Sequence, residues 1–251
     1  LTDEKNTRFR NANTLNYDFK NIIKSDNHNL KLLLGEEMIG FKSNTVTSAV
    51  QGYPVDFTFT QAKNLTSLGV PQSVDNFYAP DDNLLSFFGR LNYDYKNKYL
   101  LTGTFRADGS SKFLGDNVWG YFPSVAAAWK ISEESFLKEV SWINSLKVRV
   151  SYGEAGNNNI PTGQTFQNFV PTVPGAWING VNSILSASKV MANPDLKWET
   201  TVTQNIGLDY GLFKGRLNGS LEYYKNVISD LLLNFPVAGT GYDTQYRNMG
   251  E

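Results

Sequence analysis

Apolar and polar residues alternate along most of this chain with a period of two. From Leu85 to Tyr95, one set of alternate positions holds Leu85, Phe87, Gly89, Leu91, Tyr93 and Tyr95. The other holds Ser86, Phe88, Arg90, Asn92 and Asp94. Successive side chains of an extended strand point to opposite faces, so this segment predicts a ribbon that is apolar on one side and largely polar on the other. The pattern returns where Tyr99, Leu101, Phe105 and Ala107 oppose Leu100, Thr102, Thr104, Arg106 and Asp108. It returns again around Trp129, in Leu146–Tyr152, Val202–Tyr210 and Leu217–Tyr223, and earlier in Leu15–Phe19. Leu30–Glu37 reads as a strand whose faces the pattern does not assign.

These segments predict roughly eight strands of about 8–12 residues. A tilted membrane strand needs about 9–11 residues, whereas a globular strand averages about 5–6. The connections add a second regularity. Phe19–Asn29, Lys96–Lys98, Ile131–Ser145 and Gly211–Gly215 are short, and Phe41–Asn83, Glu154–Lys197 and Val227–Tyr246 are long. Asp108–Gly120 is intermediate and rich in Gly and Ser. Long and short links alternate. In an antiparallel meander, alternate links lie at opposite ends, so the long ones gather at one rim, as in outer-membrane barrels. Ile131–Ser145 predicts one short helix on the short-link side, capped by Ser132, with Glu133 and Glu134 facing its dipole.

The predicted fold is therefore all-β, an antiparallel up-and-down transmembrane barrel. Its register assigns Phe87, Leu91, Tyr93, Leu101, Phe105, Val148 and Leu221 to lipid. Arg90, Asn92, Thr104, Arg106, Asp108, Arg149 and Glu222 are assigned to a polar lumen.

Composition narrows the function classes. Among 251 residues, 23 basic and 24 acidic side chains give a formal charge of -1, with no electrostatic case for a nucleic-acid partner. The absence of cysteine leaves no disulfide or thiolate metal site. No run approaches the ~20 apolar residues of a membrane helix. A mean hydropathy of -0.35 matches a barrel, in which only every second residue meets lipid. Leu1–Phe9 has no signal-peptide character.

Candidate chemistry is sparse, and no cofactor is expected. The lone histidine, His28, reads as a solvated turn residue. Asp81-Asp82 reads as an acidic loop rather than a calcium site. The adjacent carboxylates Glu36-Glu37 point to opposite faces of a strand, and neither they nor Glu133-Glu134 form a natural acid–nucleophile pair. No enzymatic activity is expected. Aromatic residues in the long links, Tyr53, Phe77, Tyr78, Trp177 and Tyr242, are candidates for contacting a ligand or partner, or for packing the loops together.

Five stretches in order carry a family resemblance. They are Arg106–Phe113, Trp119–Trp129, Leu146–Gly153 with Gly156-Asn157, Asn193–Thr200 and Asn205–Tyr210. Together they resemble the SusC/RagA group of TonB-linked outer-membrane proteins from Bacteroidota. The likeness runs from about Leu84 onward; the preceding residues carry no comparable motif. It implies a barrel of about 22 strands with a plug domain. It also implies an outer-membrane location, coupling to TonB through a segment not in this chain, and a SusD-like surface lipoprotein. The expected cargo is an oligosaccharide or peptide. On this reading residues 1–251 are a portion of the barrel, ending at Asn248–Glu251 inside a new strand, and other segments complete it. An isolated partial barrel would leave open edges in lipid. The Arg106/Asp108 pair then reads as a lumen salt bridge that fixes a loop. The alternative function is a surface glycan-binding β-protein without transport.

Overall fold

A computed structural model of the chain describes residues 2–53, 56–78, 80–178 and 181–250. The side chains of residues 73–78, 171–178 and 181–186 lie outside the described residues. The main sheet is an antiparallel meander of β1 (Thr2–Asp18), β2 (His28–Gln51), β4 (Asp82–Tyr95), β5 (Tyr99–Ser110), β6 (Trp119–Lys130), β7 (Ile143–Asn157), β10 (Glu199–Leu212) and β11 (Leu217–Ser229), in that order. A further strand, β3 (Val70–Tyr78), pairs with β2 where β2 runs on past β4. Helices α1 (Lys20–Ile23) and α2 (Phe59–Asn64) are short.

Cross-strand register joins the alternating positions into continuous rows. Tyr93, Leu101, Ala127, Val150, Ile206 and Tyr223 are successive neighbours across six strands. On the opposite face, Asn92, Thr102, Ala126, Ser151, Asn205 and Tyr224 do the same. The apolar face carries half-exposed Phe87, Leu91, Leu101, Phe105, Ile206 and Leu221 and is not covered by any of the described residues. Polar exceptions on it include Glu36 and Asn13, which bond each other at 2.9 Å. Aromatic rings bound this face at both ends. Tyr95, Tyr99 and Trp129 stack at the tight-turn end, and Phe87 stacks on Trp119 at the other. Eight residues separate Tyr99 from Ala107, the neighbour of Tyr121. At about 3.3 Å per residue and a tilt near 40°, that spans roughly 20 Å, close to the apolar band of an outer-membrane barrel.

The turns explain how the meander closes on itself locally. Lys96 and Asn97 both have positive φ (53° and 54°), as at the centre of a primed turn, which Lys98 N–H closes by donating to Tyr95 O at 3.0 Å. Phe213, Lys214 and Gly215 repeat it at the same end (φ 55°, 58° and 80°).

Several sequence expectations change. β5 and β6 keep to the expected length at 12 residues each, whereas the other meander strands are longer, up to 24 residues in β2, because pairing continues toward the long-link end. Phe41–Asn83 is not an open loop: β2 and β3 form a hairpin extension within it. Glu154–Lys197 contains the hairpin of β8 (Phe169–Ile178) and β9 (Val181–Ala187), and Val227–Tyr246 contains β12 (Leu231–Pro236) paired with β13 (Thr244–Met249). Asn248 thus lies in a strand of that hairpin, outside the main sheet. Asp108–Ser110 extends β5 rather than forming the turn, which begins at Ser111. His28 is no free turn residue: its Nδ1 lies 2.7 Å from the Tyr93 hydroxyl and its ring packs on Tyr95.

The link Ile131–Ser145 is not one α-helix. A 3-10 turn, Ile131–Glu133, is followed by further turns, and Ser132 caps nothing. Glu134 is turned instead onto the strand ends. It accepts from Lys98 Nζ (2.9 Å), the Tyr99 hydroxyl (2.7 Å) and Trp129 Nε1 (3.1 Å). These three donors satisfy the carboxylate better than a helix dipole would. They hold its pKa at about 2, below the usual 4.5, with Lys98 the largest cause. A carboxyl lowered in the folded state contributes stability above its unfolded pKa, and that contribution is lost as pH falls from there through the folded value. Amide exchange in the 131–142 link, taken relative to the intrinsic rate at each pH, is therefore expected to stay constant from about pH 7 to 5, then accelerate below about 4.5. In Glu134→Gln it should be fast already at neutral pH and respond little to acid.

Candidate functional site: the polar face and the collar at its long-link end

Two charged networks cross the polar face. In the first, β5 brings Arg106 and Asp108 onto one side, two residues apart. Arg106 Nε donates to both carboxylate oxygens of Asp108 at 2.8 Å. Its Nη2 donates to the buried Ser86 hydroxyl at 2.8 Å and lies 3.6 Å from Glu37. The guanidinium also sits over the Phe88 ring, 5.4 Å from its centroid. Glu37 in turn accepts from Arg10 at 2.6 Å. Four strands are thereby tied together by alternating charges, with Asp108 only 7% exposed.

The second network centres on Arg149. Its guanidinium makes a two-point contact with Asp209, both bonds at 3.0 Å, and reaches Glu222 as well. Lys147 adds a bond to Asp209 at 2.9 Å. Arg149 lies on β7 and Glu222 on β11, so the side chain must cross the intervening β10. It crosses at Gly207, the residue in register with both. A Cβ there would come within 3.0 Å of the guanidinium, which explains a glycine in the middle of a strand.

Arg90, the remaining basic candidate, donates to Thr104 at 3.3 Å and has no carboxylate within ion-pair distance among the described residues. Of the four charged or polar-face candidates, only Arg106 and Asp108 are joined to each other. Asp81 and Asp82 are held by Lys42 (3.1 Å) and Lys112 (3.2 Å).

At the long-link end the polar face is closed by a small core of Phe113, Phe122, Ile160, Leu196 and Trp198. The Trp198 ring packs against Phe113 (5.4 Å) and edge-on to Phe122 (5.5 Å), and its Nε1 donates to Val118 O at 3.1 Å. Phe122 lies flat over Gly156, where an added Cβ would fall 2.0 Å from the ring. Polar bonds fasten the surround. Asn158 Nδ2 donates to the buried Ser110 hydroxyl, and Asn193 Nδ2 donates to Tyr246 O. Asn248 brackets Lys197 through both its backbone groups. Glu199 accepts from Asn157 Nδ2 and from the Leu232 amide. Ser110, Phe113, Phe122, Gly156-Asn157 and Asn193–Glu199 from the motif stretches thus meet in one collar, which roots three links on the sheet.

The sequence reading missed Trp198, Leu196, Phe122 and Glu134 as anchors. The signal available was a tryptophan between Lys197 and Glu199, outside the alternating strands. The two described aromatic loop candidates, Tyr53 and Tyr242, lie in different links. Tyr53 stacks on Phe57 at 5.7 Å within the β2–β3 extension. Tyr242 is half-buried in the β12–β13 turn, its amide donating to Thr240 Oγ1 at 3.3 Å. The side chains of Phe77, Tyr78 and Trp177 lie outside the described residues.

Residues 2–251 match the family model described as TonB dependent receptor-like, beta-barrel. This chain belongs to that family. The TonB-dependent receptor P26 of Formosa agariphila is 36% identical over 256 residues, covering 100% of this chain and 26% of that protein. The TonB-dependent receptor SusC of Bacteroides thetaiotaomicron is 43% identical over 180 residues, 69% of this chain and 18% of that protein. Among solved structures, the RagAB peptide transporter aligns with a TM-score of 0.86 at 26% identity, over 99% of this chain and 27% of that one. The curated relatives are thus spanned over only 16–26% of their own length. As a TonB-dependent receptor barrel segment, the chain is an outer-membrane protein. The family match extends N-terminal to Leu84, where the sequence offered no motif.

Proposed function

We propose that this chain forms part of the barrel wall of an energy-coupled importer that carries a bulky nutrient, an oligosaccharide or a peptide, across the outer membrane. The apolar face meets lipid. The polar face, with Arg90, Arg106, Asp108 and Arg149, lines the lumen. Energy enters from TonB through a segment outside this chain, and a plug outside this chain gates the lumen. The long links work together at the outer rim, docking a SusD-like lipoprotein, with Tyr53, Phe77, Tyr78, Trp177 and Tyr242 as candidate contacts.

The observation that carries this reading is the combination of a two-faced meander with long links all at one end and rooted on a rigid collar. Ordering each loop residue costs ~1–2 kcal/mol of backbone entropy, so rims this elaborate point to binding. The main relatives named above are receptors and transporters. A soluble glycan-binding protein would have to cover the apolar face, and none of the described residues does so.

Deleting residues 161–192 from the full-length protein tests the reading while sparing Ile160, Leu196 and Trp198. The barrel is expected to assemble, with lipoprotein co-purification and nutrient uptake both lost. Wild-type levels of both would overturn the role of these links.

A further inference from the structure

We propose that the β12–β13 hairpin is an entrance filter, a strap folded inward over the polar face that limits the cross-section of what can pass along the wall. The proposal rests on the polar face lining a lumen. Both legs of the hairpin leave the wall at one level, where the Asp230 amide donates to Gly250 O at 3.2 Å. Each leg turns there through a residue of positive φ, Asp230 at 58° and Gly250 at 78°. Such residues interrupt an extended run, and aspartate and glycine are among the few that adopt this conformation readily. β12 and β13 then form a two-stranded sheet of their own. β2 behaves differently at the same end: it has no positive φ before Gly52, and it carries β3 as a continuation of the wall.

The direction of the fold is inward. Phe122 shares a cross-strand row with Arg106, so the collar core lies on the polar side, and Leu232 and Tyr246 pack onto that core. The Leu232 amide donates at 3.0 Å to Glu199, which lies on the same face of β10 as Gly207. Packed layers of sheet lie about 10 Å apart, so the strap stands roughly that far inside the wall. β13 is tied in turn to the end of the preceding long link. The Met191 amide donates to Thr244 O at 2.8 Å, and the buried Gln245 donates through Nε2 to Ala192 O at 2.9 Å. At the root, Lys197 Nζ pairs with Asp230 at 2.9 Å, and Asn248 Nδ2 donates to Asp230 O at 2.8 Å. Ties along the whole strand make the strap a fixed part of the rim, not a freely opening flap. A fixed obstruction selects by cross-section. It passes a linear oligosaccharide or an extended peptide and holds back a branched or folded one.

The test uses the full-length protein in the outer membrane of intact cells. This segment has no cysteine, so Thr203→Cys places a single thiol on the polar face of β10 below the strap, once any cysteine elsewhere in the protein is changed to serine. Labelling from outside is timed with a small maleimide and with one carrying a long polyethylene glycol chain. With the strap intact, the small reagent is expected to react and the large one to lag far behind. Replacing 233–247 with a Gly-Ser-Gly turn, which keeps Leu232 and Asn248, should bring the large reagent to the rate of the small one. Asn193→Ala/Gln245→Ala, which loosens the strap without shortening it, should raise the large reagent's rate part of the way. Equal rates for both reagents with the strap intact, no change on shortening it, or no labelling of any variant would each overturn the proposal. No change on shortening is also the result expected of a hairpin that only docks a lipoprotein. Barrel assembly is checked separately by heat-modifiable gel migration. The labelling needs no transport, so absence of nutrient uptake by the wild-type protein would sink the importer reading and leave this result standing.

Discussion

Trp198→Ala is expected to dissolve the collar while leaving the barrel wall standing. Trp198 is 8% exposed, and its ring supplies the contact between Phe113 and Phe122. Truncating a buried tryptophan costs about 3–5 kcal/mol, mostly through the cavity left behind. The carbonyl of Val118 also loses its donor. The strand pairing does not depend on this cluster, because each ladder bond is made between neighbours in the sheet. The damage should therefore be local. In the full-length protein, limited proteolysis should cut within 158–198 and 231–249 at rates far above wild type. Heat-modifiable migration of the barrel should persist. An unchanged cleavage pattern would show that the loops are rooted elsewhere.

A matched pair of substitutions on β4 should separate the two faces by energy. Leu91 lies on the apolar face midway between Tyr95 and Phe87, and it is 45% exposed. An arginine at such a position near the bilayer midplane costs about 2–4 kcal/mol. Asn92, the next residue, faces the polar side and accepts from Thr102 Oγ1 at 3.0 Å. Arginine there gives up one exposed hydrogen bond, about 1 kcal/mol. Leu91→Arg should thus lower the unfolding free energy in lipid vesicles by at least about 1–2 kcal/mol more than Asn92→Arg. Equal effects would mean that the register assigned to this strand is wrong, since a slip of one residue exchanges the faces.

Much of the fold is legible in the chain itself. The faces of β4 and β5 follow from alternation, because opposite orientation of successive side chains is a property of the extended backbone. The tight turns at Lys96-Asn97 and at Phe213–Gly215 are legible as short links between such runs, and their parity gives the meander. Leu30–Glu37 resisted assignment because both of its faces carry leucines; only pairing with β1 and β4 sets Leu32 and Leu34 on the apolar side. The 131–145 link misled because its acidic start fits a helix, whereas Glu134 found stronger donors on Lys98, Tyr99 and Trp129.

The sequence by itself determined the two-sided strands, their antiparallel order and the end at which the long links emerge, because each depends on residues a few positions apart. Only the tertiary structure decided which side chains meet across strands. Arg149 reaches Glu222 because register sets Gly207 between them, and Trp198 finds Phe113 and Phe122 because three links fold onto one end of the sheet. Such contacts join residues tens of positions apart. Their geometry is fixed by strand register and loop packing, which no local periodicity encodes.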